Sequence, residues 1–107
     1  MLGWVWERYH KPFFIAETSH FGSGRARWIR EIGCEVCKAL SHGTPVDGVC
    51  LYPILDRYDW EDPNHWHNSG LWDLERLQDG RLKRILNSEY IGALKEAQRT
   101  VAAGECA

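Results

Sequence analysis

Two apolar runs constrain this chain more than anything else in it. Phe13-Phe14-Ile15-Ala16 and Gly48-Val49-Cys50-Leu51-Tyr52-Pro53-Ile54-Leu55 are too short for helices and do not alternate apolar with polar residues. A half-exposed strand alternates, whereas a strand apolar on both faces belongs in a parallel sheet covered by helices. The flanking segments supply those helices. Leu2, Val5, Trp6 and Tyr9 recur at the spacing of one helix face, and Lys11-Pro12 ends that helix because proline disfavours helical geometry in the residue before it. Trp28, Ile29, Ile32, Val36, Ala39 and Leu40 keep helical spacing over about 25–40, and Leu82, Ile85, Leu86, Tyr90, Ile91 and Leu94 over about 82–98. The order is therefore helix, strand, helix, strand, helix, which implies an α/β fold with parallel pairing through right-handed crossovers.

A sheet of two strands is poor, since three or more are needed for independent stability. Both strands expect neighbours that this chain does not supply, so the sequence reads like a piece of a larger α/β protein. At 107 residues it holds at most one domain. Residues 1–98 form the expected folded part, and 99–107, ending in TVAAGECA, the expected disordered tail. Gly70-Leu71-Trp72-Asp73-Leu74 is a short apolar segment that either pairs back or closes over the preceding loop.

Hydrophobic residues at 44% and charged residues at 26% mark a globular chain, and a net charge of -2 argues against nucleic acid or a membrane surface as partner. No apolar run approaches the roughly 20 residues of a membrane-spanning helix. The start, MLGWVWERYH, lacks the layout of a signal peptide, so a reducing, cytoplasmic setting is expected. Cys34 and Cys37 form a C-x-x-C pair inside a helical pattern, without a second pair to complete a zinc site. The four cysteines are expected to be core thiols.

In parallel α/β folds, ligands and catalysis collect at the carboxyl ends of the strands. Glu17 ends the first strand and Asp56 the second. His20 follows the first strand, and Tyr58, Asp59, Trp60, Glu61, His65, Trp66 and His67 follow the second. Carboxylates among tryptophan and histidine suit carbohydrate: sugar faces stack on indole while hydroxyls bond to charged groups. Glycoside hydrolysis needs two carboxyl groups. A carboxylate at a strand end also serves as a plain cap, and Asp56-Arg57 as a surface ion pair. The cluster of Asp59, Glu61, Asp62, His65 and His67 matches no metal signature, and no cofactor motif occurs.

PFFIAET, followed by GVCLYPILDRYDW and SGLWDL, resembles the C-terminal end of (β/α)8-barrel glycoside hydrolases, above all β-glucosidase-like enzymes related to family 1. The resemblance spans roughly residues 1–98. It implies a partial barrel corresponding to the last two β/α units, with a carbohydrate substrate. Glu17 falls on the nucleophilic glutamate at the end of the seventh strand. Asp56 and Trp60 fall on the sugar-binding end of the eighth, Glu61 beside them, and Gly70-Leu71 on a later glycine-leucine segment. Thr18-Ser19 stands where asparagine-glycine is usual, Tyr52-Pro53 where tryptophan-serine is usual, and Arg57 where asparagine is usual. The acid/base residue of such an enzyme lies on the fourth strand, which this chain lacks, so the chain alone is expected not to hydrolyse glycosides. Partners implied are the missing part of the barrel or further copies of the chain. The rival reading is a non-catalytic carbohydrate-binding or self-associating module.

Overall fold

A computed structural model describes residues 1–106. The chain runs α1 (Leu2–Tyr9), β1 (Phe13–Thr18), α2 (Arg25–Ser41), β2 (Val46–Leu51), β3 (Trp72–Arg76), β4 (Leu82–Leu86) and α3 (Ser88–Ala103), with a single 3-10 turn at Gly22–Gly24 leading into α2. It is a mixed α/β arrangement of helices and short strands. β1 and β2 pair in parallel, joined by the α2 crossover, while β3 and β4 form a separate antiparallel hairpin.

α1 ends where His10 turns left-handed (φ 50°) and donates its amide to Trp6 O, just before Lys11-Pro12. β2 stops at Leu51 rather than running on to Leu55, since Pro53 has no amide hydrogen to give a ladder. Beyond it, Leu55 makes an isolated parallel bridge to Trp72. The β1–β2 register carries the more consequential irregularity. Ile15 faces Val49 and Thr18 faces Leu51, so β1 spends one residue more than β2 over that interval. The extra residue is a bulge at Ala16-Glu17, the device by which strands re-aim a side chain.

Three expectations are corrected here. The helical spacing over 82–98 merges two elements: Leu82–Leu86 is strand β4, and the helix begins at Ser88. Asp79-Gly80 sets the hairpin, with Gly80 left-handed (φ 85°) and the Gly80 amide bonded to Leu77 O. Asn87 then caps α3 by accepting the Tyr90 amide at 2.9 Å. The disordered tail expected at 99–107 is helix through Ala103, closed by Gly104 in the left-handed region (φ 68°). Ala107 lies outside the described residues. The thiol expectation is corrected as well: Cys37 is disulfide-bonded to Cys106, leaving Cys34 and Cys50 free.

The core lies between α2, α3 and the start of the hairpin. Ala26, Ile29, Leu71, Tyr90, Ala93 and Ala97 are buried there, with Ile32, Leu51 and Trp72 packed against them. The two helices approach closely at Gly33, where a Cβ would come within 2.8 Å of Ala97 Cβ. Arg25 pins this core to the hairpin. It is 4% exposed, makes a two-pronged ion pair with Asp73 (2.8 and 3.1 Å), and also donates to Gly70 O and Gly22 O.

The parallel strands are not enclosed. Phe13 and Ile15 are half-buried while Phe14 is 58% exposed, so one face of β1 is covered and the other bare. The expected burial on both faces is thus not met: among the described residues no element covers the second face of β1. Overall dimensions agree. The molecule measures 53 × 28 × 17 Å with a radius of gyration of 16.3 Å, against about 13 Å for a compact domain of this length. Its accessible surface is 7648 Å², whereas a compact monomer of this mass exposes about 6100 Å².

Candidate functional site

A polar cleft of about 380 Å³ opens at the carboxyl ends of β1 and β2. Glu17, Thr18, Ser19, His20 and Phe21 form one wall, and Tyr52, Pro53, Arg57, His67 and Ser69 the other. The walls are stitched together from below. Ser19 Oγ donates to Ser69 O at 2.8 Å and lies 3.3 Å from the Tyr90 hydroxyl, and Trp28 Nε1 donates to Thr18 Oγ1 at 2.8 Å. Glu17 itself is solvent-exposed and sits in the β1 bulge, with no ion-pair partner among the described residues.

The loop after β2 is more ordered than its composition suggests. Tyr58 bridges Trp66 in antiparallel fashion and their rings meet edge-on at 5.9 Å; the Asp59 amide reaches His65 O and the His67 amide reaches Arg57 O. Asp59 and Asp62 each bend the chain by accepting an amide two residues on, from Glu61 at 2.8 Å and Asn64 at 3.0 Å. Within this frame a chain of three side chains forms: Arg57 lies 3.0 Å from His67 Nδ1, and His67 Nε2 lies 3.1 Å from Asp59 Oδ2. A guanidinium can only donate, so His67 Nδ1 accepts and its proton resides on Nε2, which donates to Asp59. The Asp59 carboxyl is held below its ordinary range, first by the Glu61 amide and next by His67.

The expected site residues separate in space. Glu17 lines the cleft, but Asp56, Trp60 and Glu61 do not. Asp56 is buried, accepts the Ser69 amide at 3.2 Å through Oδ1, and leaves Oδ2 without a partner. It lies beneath the wall, where its carboxylate holds the Ser69 amide. Gly70 must be glycine, since a Cβ there would lie 2.6 Å from Ile54 O and 2.7 Å from the Asp56 amide. Trp60 is 84% exposed at the loop tip, with Arg57 over one ring face at 5.0 Å. Glu61 is exposed beside it. Tyr52, Ser69 and the Arg57–His67 pair line the cleft without having been singled out as binding groups. His67 was readable only as one of a polar-aromatic cluster. Glu17 is the only carboxylate on the cleft walls among the described residues, so the pair that glycoside hydrolysis needs is not assembled here.

No family model matches this chain, and no curated protein does. Solved structures do match. Fpglu1 from Fervidobacterium pennivoraus superposes with a TM-score of 0.72 at 24% identity over 91% of this chain and 21% of its own. The β-glycosidase of the hyperthermophile Thermosphaera aggregans gives 0.73 at 22% identity over 91% and 20%. A GH1 β-glucosidase from the fungus Humicola insolens, in complex with glucose, gives 0.68 at 16% over 94% and 24%. At these identities the likeness is one of fold. The chain has the fold of part of a GH1-type β-glucosidase and spans about a fifth of the length of these enzymes. No helix among the described residues is long and apolar enough to cross a membrane.

Proposed function

We propose that this chain is the C-terminal part of a retaining, β-glucosidase-like (β/α)8-barrel hydrolase, β1 and β2 being the last two barrel strands and Glu17 the nucleophile. The observation that carries the reading is the position of Glu17: unpaired, in a bulge at the carboxyl end of a parallel strand, on the wall of a polar cleft. The substrate is a carbohydrate, and Trp60, Asp56 and Glu61 serve its binding, Asp56 by shaping the wall. Hydrolysis requires a second carboxyl group roughly 5 Å from the nucleophile as acid/base. The missing strands would supply it, so the isolated chain is inactive. Their other contribution is a cover for Phe14 and the bare face of β1.

The test supplies those strands. This chain is co-expressed with the other four-fifths of the Thermosphaera aggregans β-glycosidase, and hydrolysis of an aryl β-glucoside is followed. The expected outcome is activity in the complex, with a loss of about 10⁴-fold or more in kcat for Glu17→Gln at unchanged assembly. Full activity in the variant removes Glu17 from the mechanism. A complex that forms but does not turn over overturns the catalytic reading.

A further inference from the structure

The C-x-x-C pair has no part in the cleft, yet the fold gives it an occupation. Cys37 is 2% exposed on α2 and bonded to Cys106, with a Cα–Cα distance of 5.6 Å. Cys106 lies just beyond Gly104, whose left-handed conformation turns the chain back toward α2. Cys34 is free, half-buried, and one turn before Cys37 on the same helix. Helical geometry places the α-carbons of such residues about 5 Å apart. That falls inside the span of about 4.4–6.8 Å that a disulfide bridges. Cys37 therefore has two cysteines within bonding reach, and only one can hold it at a time.

We propose that Cys34, Cys37 and Cys106 form an internal thiol–disulfide exchange centre that latches and releases the C-terminal end of α3. Cys34 loses its proton to solvent, and the thiolate attacks Cys37 Sγ. The Cys34–Cys37 bond forms as the Cys37–Cys106 bond breaks, and Cys106 leaves as a thiolate that takes up a proton. One disulfide is exchanged for another, so no oxidant or reductant is consumed. The rest of the interface stays in place, because Gly33 and Ala97 hold the helices together one residue from Cys34. What is released is the last turn of α3. There Val101 and Ala102 form one wall of an apolar groove of about 330 Å³, opposite Val46 and Val49 of β2. The exchange thus loosens one side of that groove.

The full chain is equilibrated at pH 8 in a glutathione buffer that leaves one disulfide per molecule, quenched with acid, alkylated and mapped by peptide mass spectrometry. The expected result is that both bonds are found, in amounts within about tenfold of each other, a span of about 30 mV. Cys50 is alkylated throughout. Cys106→Ser should form Cys34–Cys37 in the same buffer, and Cys34→Ser should show Cys37–Cys106 alone. Amides of the last turn of α3 should exchange faster in Cys106→Ser than in Cys34→Ser. Finding only Cys37–Cys106 in the wild type, or two reduced thiols at 34 and 37 in Cys106→Ser, overturns the proposal. So does equal amide exchange in the two variants.

Discussion

Single side chains answer to measurements that bear on nothing else. Asp59 is the plainest. Its carboxyl titrates below the ordinary carboxylate range because the Glu61 amide and then His67 favour the charged form. A group depressed in the folded state contributes stability above its unfolded pKa, and loses it as the pH falls through the folded value. The Glu61 amide resonance reports that titration directly, and its midpoint in the intact chain should lie below that in a peptide of residues 57–67. Equal midpoints would mean the hydrogen-bonded turn does not hold in solution. Arg25 makes the second case. Its guanidinium serves Asp73 and two carbonyl groups from a buried position, so Arg25→Met strands a carboxylate and unbonded carbonyls. The expected loss is about 3 kcal/mol, read from urea denaturation, and a loss under about 1 kcal/mol would show that Asp73 reaches water instead. Arg57 covers one face of the Trp60 ring, and the proposed sugar contact falls to the exposed rest of it. Glucose quenching of tryptophan fluorescence that disappears in Trp60→Ala would support binding by the chain alone, and a flat titration would count against it.

Among the elements, stability rests on how the hairpin hands over to α3. Asn87→Ala removes the cap on the Tyr90 amide and should cost about 1 kcal/mol. Gly80→Ala forces a Cβ into left-handed backbone at a cost of about 1–2 kcal/mol. If thermal melts show neither effect, the hairpin is not part of the cooperative unit. The sequence was readable where a signal is local. The apolar runs placed two strands, the periodicity placed α1 and α2, and the alternation of types implied their parallel pairing. It misled at 82–86, where Leu82, Ile85 and Leu86 fit a helical period as well as a short strand. The Asp79-Gly80 turn was the clue that should have divided them. Nothing local announces the bulge at Ala16-Glu17, since it exists only in the register between β1 and β2. The Arg25–Asp73 pair, 48 residues apart, and the Cys37–Cys106 bond, 69 apart, are equally invisible to pattern. The cleft was legible in its address at the strand ends and in Glu17. The placement of Arg57, His67 and buried Asp56 was not, because it depends on how the loop folds over itself.

On the scale of the whole molecule, the excess of exposed surface is the governing fact. A chain with the dimensions of a flattened slab leaves Phe14, Tyr52, Ile54 and Leu55 in water, and apolar area of that kind associates. On the proposed reading, the urea midpoint of the chain rises when the rest of a β-glucosidase-type barrel is added, and light scattering falls. A midpoint indifferent to the added part would mean the bare face is not its docking surface. The link between Cys37 and Cys106 has a topological consequence as well. It closes all but the first third of the chain into a covalent ring, with Glu17 carried on the linear lead outside it. A protease that cuts once in the exposed loop between Tyr58 and Asn68 opens that ring without separating its pieces. Nicked molecules that hold the Cys37–Cys106 bond would run as one band on a non-reducing gel and as two once the sulfurs are parted, whereas those that hold Cys34–Cys37 would run as two throughout.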